Sequence, residues 1–151
     1  MPVLKSYFVP DELTTRTLTD AMKRDVKVRI IVSGDNTHIE TVRSVSRATW
    51  GSLLGGGAVI AEYKPTIHHG KVLIVGRVLV SVGSTNFDNR SFRLNDKATL
   101  NIFDATFAIG QTKIFDADLP RSRPIANAEW RARPLRDRVA ERFASIIASQ
   151  L

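Results

Sequence analysis

His69 and Lys71 stand two residues apart in a stretch, Thr66 to Leu94, that reads TIHHGKVLIVGRVLVSVGSTNFDNRSFRL. On a strand, residues i and i+2 share a face, so the imidazole and the ammonium are expected to project toward the same space. After a second apolar run comes Gly83-Ser84-Thr85-Asn86, a small turn carrying a hydroxyl and an amide. A histidine able to act as nucleophile or acid, a lysine point charge, and donors at Ser84 and Asn86 together suit a tetrahedral phosphate. Asp88, Arg90 and Ser91 follow in the same polar connection, where Arg90 is expected to brace the loop through carbonyls or Asp88. Each of these residues also has a plainer reading: His69 as a polar strand residue, and Ser84 and Asn86 as turn caps.

The elements that would hold these groups follow from periodicity. Val3 to Phe8 reads as a strand, and Pro10-Asp11-Glu12 opens a helix to about Arg24 with Asp11 as its cap. Val26 to Val32 is β-branched and reads as a second strand. Thr37-His38-Ile39-Glu40 has the form of a capping box, opening a helix to about Leu54 with Ile39, Val42, Trp50 and Leu53 on one face. Gly55-Gly56-Gly57 stops that helix, and Ala58 to Tyr63 is a third strand. Lys71 to Val75 and Val78 to Val82 form a pair joined through Gly76-Arg77, and Leu94 to Phe103 adds another strand. Ala105 to Leu119 is helical, Pro120 to Pro124 a linker, and Ala126 to Arg133 a helical turn. Pro134 starts a last helix, with Leu135, Val139, Phe143, Ile146 and Ile147 on one stripe. The β, α, β, α, β opening predicts an α/β fold: a mixed, largely parallel sheet with helices on both faces. Residues 1–120 would form the domain bearing the His-x-Lys pair, and residues 121–151 a basic amphipathic tail packed on it.

Composition narrows the chemistry. At 151 residues, 43% hydrophobic and 25% charged, one domain is the natural count. Cysteine is absent, so disulfides and thiolate metal sites are excluded. Of three histidines, His38, His68 and His69, two are neighbours that face opposite ways on a strand, so a metal-independent site is predicted, with no cofactor. The longest apolar run, Val72 to Val82, is interrupted by Arg77 and is too short to span a bilayer. A net charge of +7 favours an anionic partner. Between Arg121 and Arg142 there are seven arginines and three acids, so much of that charge sits near the C-terminus.

His69-x-Lys71, followed by Gly83-Ser84-x-Asn86-x-Asp88-x-Arg90-Ser91, resembles the signature of the phospholipase D superfamily. The string GSTNFDNRSFRLND, with YFVPDEL near the start and the arginine-rich tail, is similar to the C-terminal half of bacterial cardiolipin synthases. The resemblance implies phosphodiester transfer through a phosphohistidine, with the histidine of a second motif protonating the leaving alcohol. Carried over, His69 would be nucleophile or acid, Lys71 the oxyanion clamp, and Ser84 and Asn86 phosphate donors. It further implies an anionic glycerophospholipid substrate such as phosphatidylglycerol, and a peripheral position on the cytoplasmic side of the bacterial inner membrane. One motif is present where the chemistry needs two, so a second half must come from a homodimer or from a longer chain. A nuclease of the same superfamily, or a phosphate-binding partner domain without turnover, are the alternatives. Two departures change charge. The pattern His-x-Lys-x4-Asp would place aspartate where Gly76 stands, and a glutamate expected after the Phe92-Arg93-Leu94-Asn95 segment is replaced by Lys97. Restoring both carboxylates, Gly76→Asp with Lys97→Glu, is expected to raise lipid turnover.

Overall fold

The computed structural model describes residues 8–34, 46–66, 71–84 and 98–134, and residues 2–5 by their backbone alone. Seven strands make one sheet in the order β6-β5-β4-β1-β2-β3-β7. The first strand, β1 (Pro2–Lys5), pairs in parallel with β2 (Arg29–Ser33), and β2 in parallel with β3 (Val59–Tyr63). These are the strands that helical crossovers connect. Beyond them, β4 (Val72–Val75), β5 (Leu79–Gly83) and β6 (Thr99–Phe103) add antiparallel on one side, and β7 (Ser122–Pro124) adds antiparallel to β3 on the other. The α/β class with a mixed sheet and helices on both faces is as the sequence predicts, but the sheet is not largely parallel: parallel pairing is confined to β1–β3, because the hairpin strands and the edge strand β7 add antiparallel.

Helix α1 (Glu12–Lys23) begins where expected, Asp11 Oδ1 accepting the Thr14 N–H at 2.7 Å. Its end moves the next strand. The Asp25 N–H donates to the Met22 carbonyl (3.0 Å) and the Val26 N–H to the Ala21 carbonyl (3.1 Å), the two bonds of a Schellman closure. Val26 is therefore committed to ending the helix, and β2 starts at Arg29 rather than Val26. Asp25 takes the left-handed position (φ 62°) that glycine usually fills. Asp25→Gly is accordingly expected to stabilise the chain by about 1 kcal/mol. An unchanged urea midpoint with an unchanged slope would count against it.

Several other boundaries differ from expectation. Phe8 forms a lone bridge rather than the end of β1 and is fully buried, a core residue in place of a strand residue. The helix expected to run to Leu54 is interrupted by a turn at Thr49–Trp50, leaving helical residues 46–48 and a short α2 (Gly51–Gly55). Its capping box, Thr37 to Glu40, with Ile39 and Val42, lies outside the described residues, as do Leu94 to Lys97 of the sixth strand and the stripe from Leu135. The glycine stop is as expected, with Gly57 at φ 93°. Helix α3 (Ala105–Asp118) is capped by Asp104, whose Oδ1 accepts the Phe107 N–H at 2.6 Å, and Leu119–Arg121 follow as a 3-10 turn. The expected linker is not one: Ser122, Arg123 and Pro124 pair with Tyr63, Glu62 and Ala61 as an edge strand, where a proline costs no inner hydrogen bond. A short helix, α4 (Asn127–Arg131), completes the described chain.

Strand alternation divides the core between two faces. Ile30, Val32 and Ile60 join Phe8, Leu18, Trp50 and Leu53 under α1 and α2, with Leu73 and Trp130 at the margin. Ile31 and Tyr63 meet Phe115 of α3 on the opposite face, and Ile74 and Val80 meet Ala108 there. Full burial of side chains this size contributes about 1.5–3 kcal/mol each, so the first face is the larger source of stability.

Candidate functional site

Lys71 directly precedes β4, and the register of the hairpin fixes what lies across from it. Val72 pairs with Val82, so Lys71 stands opposite Gly83, whose N–H donates to the Lys71 carbonyl at 3.2 Å. Because β4 runs antiparallel to β1, with Leu4 opposite Val72, Lys71 lies at the carboxyl ends of β1, β2 and β3. The crevice beyond the carboxyl ends of parallel strands is where open α/β sheets bind ligands. Lys71 is 8% exposed, so its charge sits in a poorly solvated place where it acts more strongly on an anion than it would in water.

Gly83 and Ser84 carry this end of the sheet across to β6. A Cβ on Gly83 would stand 2.2 Å from the Ala98 carbonyl oxygen and 2.7 Å from the Thr99 Cα, so the motif glycine is needed for close approach of two backbones. The Ser84 N–H donates to the Ala98 carbonyl at 2.9 Å. Its hydroxyl accepts the Ala98 N–H at 3.1 Å and directs its own proton to the Ala98 carbonyl at 3.4 Å. The second of these is a long, weak bond. Ser84 is thus a strand clasp, and its proton can be redirected to a phosphate oxygen at small cost.

The structure therefore brings together Lys71 and the Gly83-Ser84 corner, on neighbouring strands at one end of the sheet. His69, Asn86, Asp88, Arg90, Ser91 and Lys97 lie outside the described residues. Gly76 is placed away from the site. It lies past the other end of β4, five residues from Lys71, about 16 Å at ~3.3 Å per strand residue. There Gly76 (φ 61°) and Arg77 (φ 59°) form a tight turn, closed by the Val78 N–H on the Val75 carbonyl at 3.3 Å. The expectation that a carboxylate at position 76 helps turnover is corrected on this ground, since the position belongs to the hairpin. Gly76→Asp is expected to leave any turnover unchanged and to cost about 0.5–1 kcal/mol for a side chain at positive φ. A changed rate in a folded variant would contradict this.

A charged cluster that the sequence reading missed stands at the same end of β3. Glu62, with a side chain 4% exposed, receives Arg47 Nη2 at 2.6 Å and Nε at 3.1 Å on one oxygen. Arg123 Nε approaches its other oxygen at 3.8 Å while Arg123 Nη1 binds Glu129 at 2.7 Å. The signal in the sequence was an acid inside an otherwise apolar strand, Val59-Ile60-Ala61-Glu62-Tyr63. Trp130 Nε1 and Arg133 Nη1 both donate to the Arg47 carbonyl, at 2.9 and 3.3 Å. These contacts tie residues 46–48 to β3, β7 and α4.

Lys71 and the Gly-Ser corner thus lie together at the carboxyl ends of the parallel strands of a mixed α/β sheet, and the comparisons with known proteins show which family has this sequence. A family profile described as the cardiolipin synthase, phospholipase D-like domain matches residues 2–119. The chain belongs to this family. It is 32% identical to cardiolipin synthase A of Pseudomonas fluorescens over 146 residues, which is 97% of this chain and 30% of that protein. It is 36% identical to cardiolipin synthase A of Yersinia pseudotuberculosis over 137 residues, 91% of this chain and 28% of that protein. The chain thus spans less than a third of the length of these curated relatives. Among solved structures, the phospholipase D family member Nuc from Salmonella typhimurium superposes with a TM-score of 0.71 at 23% identity, covering 82% of this chain and 80% of that one. Phosphatidylserine synthase from Haemophilus influenzae superposes with a TM-score of 0.72 at 14% identity, covering 99% of this chain and 40% of that one. At these identities the two structures speak to fold. No helix among the described residues is long and apolar enough to cross a membrane.

Proposed function

We propose that this chain carries one half of a cardiolipin synthase-like phosphatidyltransferase site. The observation that supports it most is the meeting of Lys71 with the Gly83-Ser84 corner at the carboxyl ends of the parallel strands, in a chain of this family. In this reading His69 attacks phosphorus of an anionic glycerophospholipid and forms a P–N bond. The P–O bond to the leaving alcohol breaks, and that alcohol takes a proton from the histidine of a second motif. A hydroxyl of phosphatidylglycerol then attacks the phosphohistidine, gives its proton back to that histidine, and releases His69. Lys71, with Ser84 and Asn86, holds the non-bridging oxygens as their charge grows. Asp88, Arg90 and Ser91 support the loop that carries Asn86. Water in place of the acceptor alcohol would make the reaction a hydrolysis.

The second motif comes from another half, since the sequence holds one His-x-Lys pair. The arginine-rich segment 121–151 offers a contact with anionic headgroups, placing the protein at the cytoplasmic face of the inner membrane. The test is to incubate the full chain with phosphatidylglycerol vesicles labelled in the phosphate and, separately, with plasmid DNA, alongside His69→Ala. Labelled cardiolipin from the wild type and none from the variant is the expected result. DNA nicking without lipid product would replace this reading with a nuclease, and neither product would leave a partner domain.

A further inference from the structure

Between the helices on the α1 face runs a groove of about 550 Å³, a volume typical of small-ligand sites. Three pieces of chain line it: Pro10 with the first turns of α1, the segment around Gly51, and α4. Neither Lys71 nor the Gly83-Ser84 corner does. The frame of the groove is fixed before anything binds. Pro10 is buried, and its ring sets the backbone that enters α1. Trp130 donates its Nε1–H to the Arg47 carbonyl at 2.9 Å, and the Arg133 guanidinium lies over its ring, 4.0 Å from the centroid. A Cβ on Gly51 would stand 2.4 Å from Trp130 Cη2, so only glycine seats the indole there. Thr49 Oγ1 donates to the Ser46 carbonyl at 2.8 Å, and Ser46 Oγ to the Phe8 carbonyl at 2.6 Å.

The side chains along the walls are left uncommitted. Among the described residues, Arg16 and Arg131 make no ion pair, and the hydroxyls of Thr15 and Ser52 make no hydrogen bond. Asp20, one turn on from Arg16, is taken by Lys23 at 2.9 Å, and Glu12, one turn before Arg16, does not pair with it. Two guanidinium forks from different helices, with two hydroxyl donors, suit the several oxygens of a phosphate better than the two of a carboxylate. Glu12 beside them repels a bare anion and accepts from alcohol hydroxyls carried next to the phosphate. The indole is already engaged by Arg133 and Gly51, which leaves a flat base little to stack on.

We infer that this groove is a second anion site, separate from Lys71, that takes a phosphorylated polyol: glycerol 3-phosphate in solution, or the glycerophosphate headgroup of an anionic lipid. Tryptophan emission of the full chain reads its occupancy, because Trp130 lines the groove while the other tryptophan, Trp50, is buried. Titration with glycerol 3-phosphate is expected to give a saturable change that glycerol does not give. Arg16→Ala and Arg131→Ala are each expected to weaken the affinity at least ~10-fold, the loss of one charge-assisted hydrogen bond. Both side chains are exposed, so circular dichroism is expected to stay unchanged. Lys113→Gln, which removes one exposed charge from α3 on the opposite face, and Lys71→Ala are expected to bind as the wild type does. Vesicles of phosphatidylglycerol, set against phosphatidylcholine, distinguish the two sources: a response lost in Arg16→Ala and Arg131→Ala assigns the headgroup, and a response to the soluble ester alone assigns the free phosphate. The inference is overturned by no saturable response, by wild-type affinity in a folded double variant of the two arginines, or by loss of the response in folded Lys71→Ala. Tighter binding of adenosine monophosphate than of glycerol 3-phosphate would overturn it as well. The functional reading fails separately, since labelled cardiolipin reports on Lys71 and tryptophan emission on the groove.

Discussion

Lys71→Ala is expected to slow labelled cardiolipin formation by about 10²–10³-fold, the loss typical of removing one donor to charge that develops in a transition state. The size follows from position. Lys71 is 8% exposed, and its backbone is fixed by pairing with Gly83 on one side and by the β1–β4 register on the other. In the proposed site, an ammonium so placed would meet phosphate with little water left to screen it. The loss should fall on kcat more than on KM, because the charge on the non-bridging oxygens grows as the phosphoryl group transfers. Lys71→Arg keeps the charge but brings a planar fork in place of a point charge, and partial activity is expected. A folded Lys71→Ala chain within about threefold of wild type would remove lysine from the mechanism.

Glu62→Ala is expected to be the most damaging stability variant of those considered. Breaking a fully buried ion pair on one side costs about 3–5 kcal/mol. Here Arg47 keeps 26% of its side chain exposed and regains some water, which lowers the expectation to about 2–4 kcal/mol. The loss reaches beyond the pair, since Arg47 also anchors Trp130 and Arg133 through its carbonyl. A double variant, Arg47→Met with Glu62→Leu, removes both charges together and is expected to recover most of the loss, with Arg123 retained by Glu129. Urea denaturation measures all three. A Glu62→Ala midpoint equal to wild type would show the cluster to be ornamental.

What the sequence revealed and what it hid separate by range. β4 and β5 were legible because Val72–Val75 and Leu79–Gly83 are β-branched runs bounded by a turn, so local propensity and final pairing agree. Asp11 was legible as a helix cap for the same reason, whereas the range of the helix from Ala105 was legible without its cap, Asp104. β7 was hidden, because Ser122-Arg123-Pro124 has no apolar run and becomes a strand through Tyr63, Glu62 and Ala61, some sixty residues away. The Glu62 cluster joins residues 47, 62, 123 and 129, a relation that no window of sequence contains. Of the site, Lys71 and the Gly-Ser corner could be read from spacing, whereas the Ser84 clasp on Ala98 depends on a partner fourteen positions on. The start of β2 was misread because Val26 looks like a strand residue and instead closes a helix around an aspartate at positive φ.

The tight turn at Gly76-Arg77 has a practical use. It is exposed, it sits at the end of the hairpin remote from Lys71, and Arg77 already holds a left-handed backbone that cysteine would find no harder. Because the chain contains no native thiol, Arg77→Cys would give a single attachment point for a fluorophore or an immobilising tether. Binding to vesicles or to plasmid DNA could then be tested by light emission with the Lys71 end of the sheet left unlabelled.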